Sequence, residues 1–220
     1  MNIPVPITNS KLVSNQIEAG VYPAVLFRII QLGTHMESYC GQTPKPVRKL
    51  LLSFVVPGLN RQVRNEFVPF TVHTEFTESL NQNANLRKAV SKLVGRDMFL
   101  EDGERSTPDK PVYYDLVDLL GMAGLLTLKS RDTGAGRYVT DIDGYAPLAE
   151  DDMMPDNPYE LTFFSINNFD PTQYLIMSDR IQAKIRASAE WKMNQDTWVP
   201  AVEKAQQEWT AEEQYGDELP

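Results

Sequence analysis

Asp132, Asp141 and Asp143 in "DTGAGRYVTDIDG" (132 to 144) are the closest approach to a chemical site in this chain. Asp141 and Asp143 are two positions apart, so on a strand they share a face and with Asp132 could hold Mg²⁺. A carboxylate pair at a strand end also reads as a solvated rim, and that reading is the expectation here. Beyond these acids, little points to catalysis. A nucleophile with its base, a phosphate-cradling loop and a metal-ligand cluster are all missing from the sequence pattern, so no enzymatic activity, metal or other cofactor is expected. "GMAG" and "GAG" lack the lysine and the strand-loop-helix context of a P-loop. One cysteine, Cys40, excludes an intrachain disulfide framework, and two histidines, His35 and His73, cannot complete a Cys/His zinc set.

The cations carry more information than the acids. The chain has net charge -9, yet residues 45 to 96 hold nine Lys/Arg against three acids, a net of +6, which leaves -15 for the rest. Such asymmetry suggests a basic surface and an acidic tail with different partners; the plainer alternative is unevenly distributed surface charge. The Asp-Thr-Gly-Ala run also resembles the signature of aspartic proteases. A single copy between Arg131 and Gly-Arg in a hairpin gives that likeness poor support.

These side chains are positioned by a recognisable series of elements. "GVYPAVLFRIIQLG" (20 to 33) is β-branched, aromatic and closed by glycines, and reads as a strand with Val25, Phe27 and Ile29 on one face and Ala24, Leu26 and Ile30 on the other. A polar loop follows. From Val47 a second strand places Leu50, Leu52, Phe54 and Val56 on a core face and Lys49, Leu51, Ser53 and Val55 on a mixed one, with Pro57-Gly58 as its stop. "VPFTVHTEFT" (68 to 77) is the third, joined to the second by the long connection "GLNRQVRNEF". "NQNANLRKAVSKLVGR" then changes period: Leu86, Ala89, Val90 and Leu93 form one apolar stripe, Asn residues can cap the start, and Gly95 ends the helix. A short helical "YYDLVDLLG" precedes two more strands, "GLLTLKS" and "GRYVTDIDGYAPL", around a glycine-rich turn.

Three strands, a helix and two strands is the order of a five-stranded OB-fold Greek-key barrel, so the expectation is a mainly β, α+β chain with that barrel over residues 1 to 150. Residues 151 to 190 follow as a docked extended segment and helices, with Asp170-Pro171 and Ser178 as helix starts. Residues 191 to 220 read as an acidic tail holding Trp191, Trp198 and Trp209. Their indoles either pack back on the barrel or await a partner.

On that frame, cations and aromatics converge from four segments: Tyr39 and Lys45 in the loop after the first strand, Lys49 and His73 on an open face with Arg48 beside them, Arg61 and Arg64 in the next hairpin, and Lys129, Arg131, Arg137 and Tyr138 in the last. Phosphate-tracking cations with base-stacking aromatics are the equipment of single-strand binders. The alternative is that these are ordinary polar loops at barrel ends.

"EAGVYPAVLFRIIQLGT", "KPVRKLLLSF", "NANLRKAVSKLVGR", "DLLGMAGLLTL" and "NPYELTFFSINNFD" resemble a group of bacteriophage replication-associated, OB-fold single-stranded-DNA-binding proteins. The resemblance implies a barrel that coats single-stranded DNA with little sequence preference during phage replication or recombination, and no enzymatic activity. It also implies replication partners for the acidic C-terminal tail, although this chain ends Leu219-Pro220 and lacks a terminal phenylalanine. The other class is a phage structural or protein-protein interaction module that uses the barrel as a docking scaffold; a small-ligand or carbohydrate-binding barrel is third. The N-terminus shows neither a basic n-region nor an apolar h-region, and no stretch reaches the ~20 apolar residues of a membrane span. A cytoplasmic protein is expected, in the host cytoplasm if phage-encoded, with no membrane partner and with a homo-oligomer left open.

Overall fold

The computed structural model describes residues 17–38, 41–63, 66–97, 115–134, 138–149 and 151–216. Six strands are present among them: β1 (Gly20–Glu37), β2 (Lys45–Val63), β3 (Glu66–Thr77), β4 (Ala123–Asp132), β5 (Tyr138–Ala146) and β6 (Thr162–Phe164). They form one open sheet in the order β3-β2-β1-β4-β5, with β6 also on β1. The sheet is mainly antiparallel; β4 runs antiparallel to both β1 and β5. Among the described residues are also four α-helices, α1 (Asn85–Val94), α2 (Pro171–Leu175), α3 (Asp179–Ala187) and α4 (Ala189–Gly216), and a short 3-10 helix at Leu116–Leu119, where a short helix was expected. None is long and apolar enough to cross a membrane.

The described residues of Met1–Ile29, Leu52–Thr74 and Ser79–Thr162 make one compact unit, and those of Ile30–Leu51, Glu75–Glu78 and Phe163–Pro220 make a second. The long strands β1, β2 and β3 each contribute residues to both units.

In the first unit, the α1 stripe Leu86, Ala89, Val90 and Leu93 is buried, and Gly95 ends the helix at φ 80°. The helix start differs from expectation: Ala84 occupies the N-cap with no side-chain bond, so none of the asparagines caps it. Leu26, Leu52, Phe54, Leu119, Met122 and Tyr145 join the stripe around a gap of only about 10 Å³. That interior is a filled core with no room for a small ligand. Gly124 sits where a Cβ would come within 2.4 Å of Leu93, which is why α1 lies so close to β4. Val25, Phe27 and Val55 form a smaller cluster with Tyr159 and Ala123.

The second unit has its own core. Ile30, Leu32 and Leu51 pack with Phe164, Ile166, Tyr174, Met177, Ile185 and Trp191. Phe169 stacks on Trp198 at 4.4 Å and meets Phe164 edge-on at 5.8 Å. Trp191 is a core residue and Trp198 packs against that core, both from the 28-residue helix α4. Asp170 caps α2 as expected, accepting from the backbone N–H groups of Thr172 and Gln173. Buried Gln31 ties strand to strand: its Oε1 accepts from Ser165 Oγ and Ile166 N, and its Nε2 donates to Glu78 Oε1 at 2.9 Å.

One strand expectation is corrected. Pro57-Gly58 does not stop β2, which runs on to Val63, and Arg61, expected in the hairpin connection, lies in the strand; residues 64 and 65 lie outside the described residues. Gly58 has no positive φ, and a proline in extended backbone already has its preferred φ, so neither residue forces a turn.

Candidate nucleic-acid interface

Lys49 was expected on an open face of β2, and that face is closed. Leu51 is 8% exposed and Ser53 0% exposed, and the Lys49 side chain, 13% exposed, places Nζ 2.7 Å from Glu37 Oε1. The physical reason is burial on both faces: every residue from Leu50 to Val56 is covered, as in strands packed on two sides. Arg48, expected at the strand start, lies 3.3 Å from Glu78 Oε2, with Nε and Nη2 buried and without hydrogen-bond partners. Lys45 is exposed at the first position of β2 and has no ion pair among the described residues.

His73 projects from β3, exposed, with Nδ1 2.9 Å from the Oγ of buried Ser53. This joins β2 to β3 across the pair.

At the β4–β5 hairpin the expected cations meet the aspartates of the metal alternative. Lys129 stands opposite Asp141, and Arg131 opposite Val139. Thr127 pairs with Gly144 and Leu128 with Ile142, so Asp143 is the extra residue of a bulge. Lys129 donates to Asp143 at 2.6 Å and Arg131 to Asp141 at 3.0 Å, two diagonal ion pairs on exposed side chains. The hairpin carries a neutral ladder, and the two functional readings of its residues cancel each other. No group of three His, Cys, Asp or Glu suited to a metal ion occurs among the described residues. Tyr138 is half-buried opposite Asp132. Tyr39, Arg64 and Arg137 lie outside the described residues.

The structure also brings forward Arg28, Phe67, Lys88 and Lys92, which are not among the expected site residues, together with Arg61, which is. Arg28 is the lone charge inside "VYPAVLFRII". Its Nε donates to Thr162 Oγ1 at 3.1 Å and its guanidinium lies 5.4 Å from the Phe27 ring centroid. Burial holds its pKa below the usual arginine value, and no carboxylate pairs with it among the described residues. A single charge in an apolar strand is itself the sequence signal. Arg61, half-buried on β2, has an Nε with no hydrogen-bond partner. At the same end of the β2–β3 hairpin, Phe67 is 53% exposed. Lys88 and Lys92 stand exposed on the outer side of α1, one turn apart and without ion pairs among the described residues. Arg87, by contrast, is held by Asp97 at 2.8 Å.

The first unit thus contains cations of two kinds, some neutralised by register and some left uncompensated. Comparison with protein-family models, with curated proteins and with solved structures gave no match.

Proposed function

We propose that the first unit is an OB-like barrel, left open between β3 and β5, that binds single-stranded DNA with little sequence preference in phage replication or recombination. The strand order β3-β2-β1-β4-β5 with α1 between β3 and β4 supports the barrel reading, since it is the OB connectivity without its last strand pairing. The observation that carries binding is the pair Arg61 and Phe67. Phe67, 53% exposed, offers a stacking platform worth about 1–3 kcal/mol per base, and half-buried Arg61, near the same end of β2, brings a cation without an ion pair among the described residues. Arg28, Lys88 and Lys92 add positive charge on the same unit.

In the free protein the charge of Lys49, Lys129 and Arg131 is spent on Glu37, Asp143 and Asp141. Anisotropy of a labelled oligo-dT with Arg61→Ala and Phe67→Ala tests this. Loss of affinity in both, with unchanged circular dichroism, supports the site; unchanged affinity in both removes it.

The second reading, a protein-protein interaction module, is favoured by one specific finding: four of the cations expected to face DNA are already ion-paired within the chain. On that reading, oligo-dT does not bind at low salt.

A further inference from the structure

The apolar stripe of α4 runs Trp191, Trp198, Val202, Ala205, Trp209, at helical spacings of seven, four, three and four. Its first part is occupied, because Trp191 is buried in the second unit's core and Trp198 and Val202 pack against it. The stripe then outruns the core. Ala205 and Trp209, with Glu208 and with Thr172 of α2, line a surface cavity of about 300 Å³, and Trp209 remains 39% exposed.

We propose that this cavity receives the lysine or arginine side chain of a partner protein. Trp209 offers an indole face for a cation, Glu208 a carboxylate at its edge, and Thr172 a hydroxyl that accepts from an ammonium or guanidinium. The surroundings select the same sign of charge. From residue 203 to 216 the sequence holds four glutamates against one lysine, and the last turn of α4 has no basic residue to offset the negative helix end. The resident Lys204 lies 3.6 Å from Glu208 in an exposed pair one turn apart, a contact weak enough for an incoming cation to displace.

The proposal is independent of DNA binding by the first unit and is tested without nucleic acid. The probe is Nα-acetyl-arginine amide, titrated into ¹⁵N-labelled full-length chain while the three indole N–H signals are followed, with Nα-acetyl-norleucine amide as the uncharged control. The expected result is a saturable shift confined to the Trp209 signal and given by the arginine probe alone. Glu208→Gln should weaken it about 2- to 5-fold, the scale of an exposed cation contact. A shift of equal size with norleucine would make the cavity a plain apolar groove and overturn the proposal. So would a response that fails to saturate, movement of the Trp191 or Trp198 signals in its place, or a Glu208→Gln variant that binds as the parent does.

Discussion

The Tyr145 side chain is hydrogen-bonded to that of Thr74, and through this bond β5 meets β3, the strand at the other end of the sheet. The same ring lies 6.3 Å from Phe54 of β2. Phe54 and Tyr145 meet although β2 and β5 are not neighbours in the sheet order, so the sheet of the first unit is curled. Burial pushes the Tyr145 phenol up to about 12 from its ordinary 10.0, while the Thr74 bond pulls the other way. A group with a raised pKa contributes stability that is complete below its unfolded value and is lost as pH rises through its folded one. Denaturant midpoints should thus fall between pH 10 and 12, by about 3 kcal/mol of stability. Tyr145→Phe should flatten that alkaline slope; an unchanged slope would show that Tyr145 is not the buried phenol.

On the acid side the corresponding group is Glu190. Burial raises its pKa, but hydrogen bonds from Thr34 N and Thr34 Oγ1, both 2.7 Å, hold it below the usual carboxylate value. A depressed pKa contributes stability that is present above the unfolded value and lost as pH falls through the folded one. Glu190→Gln should cost about 1 kcal/mol at neutral pH and reduce the acid-side slope, read by urea denaturation followed at the tryptophans.

Gly33 lies under the same contact. Its φ is 86°, and an added Cβ would stand 2.6 Å from Ser188 Cβ and 2.7 Å from Glu190 Oε2. Gly33→Ala should destabilise the second unit by about 2 kcal/mol or more, through strain and loss of the Thr34–Glu190 bonds. The readout is a lower unfolding midpoint in the fluorescence of Trp191 and Trp198, which report on that core.

Removing the acids of the β4–β5 ladder gives the opposite kind of test. Asp141→Asn with Asp143→Asn releases Lys129 and Arg131 from their pairs. If the first unit binds single strands, the double variant should bind oligo-dT more tightly, with a salt slope steeper by about 0.7 for each cation that gains a phosphate. Weaker or equal binding at low salt would place this hairpin away from the DNA.

Local signals in the sequence were readable where one element decides the outcome alone. The α1 stripe with its Gly95 stop and the Asp170-Pro171 start of α2 depend on spacing and capping chemistry, and both stand in the structure. Register was harder. Asp143 reaches Lys129 because of a bulge between neighbouring strands, and Glu37 and Glu78 reach Lys49 and Arg48 from distant positions in the chain. A count of cations along residues 45 to 96 contains none of that pairing. The acidic composition of 191 to 220 likewise hid a helix whose tryptophans sit at core spacing, because net charge says nothing about which face it occupies.

The central claim is that the first unit binds single-stranded DNA through uncompensated cations and the exposed Phe67. It is tested most directly by titrating labelled oligo-dT with the full chain at two salt concentrations, beside Arg61→Ala. The account predicts saturable binding at low salt that weakens as salt rises, with a log-log slope of about -0.7 per phosphate neutralised, and a shallower slope in the variant. No binding at low salt, or binding whose salt dependence is the same in Arg61→Ala, would contradict it.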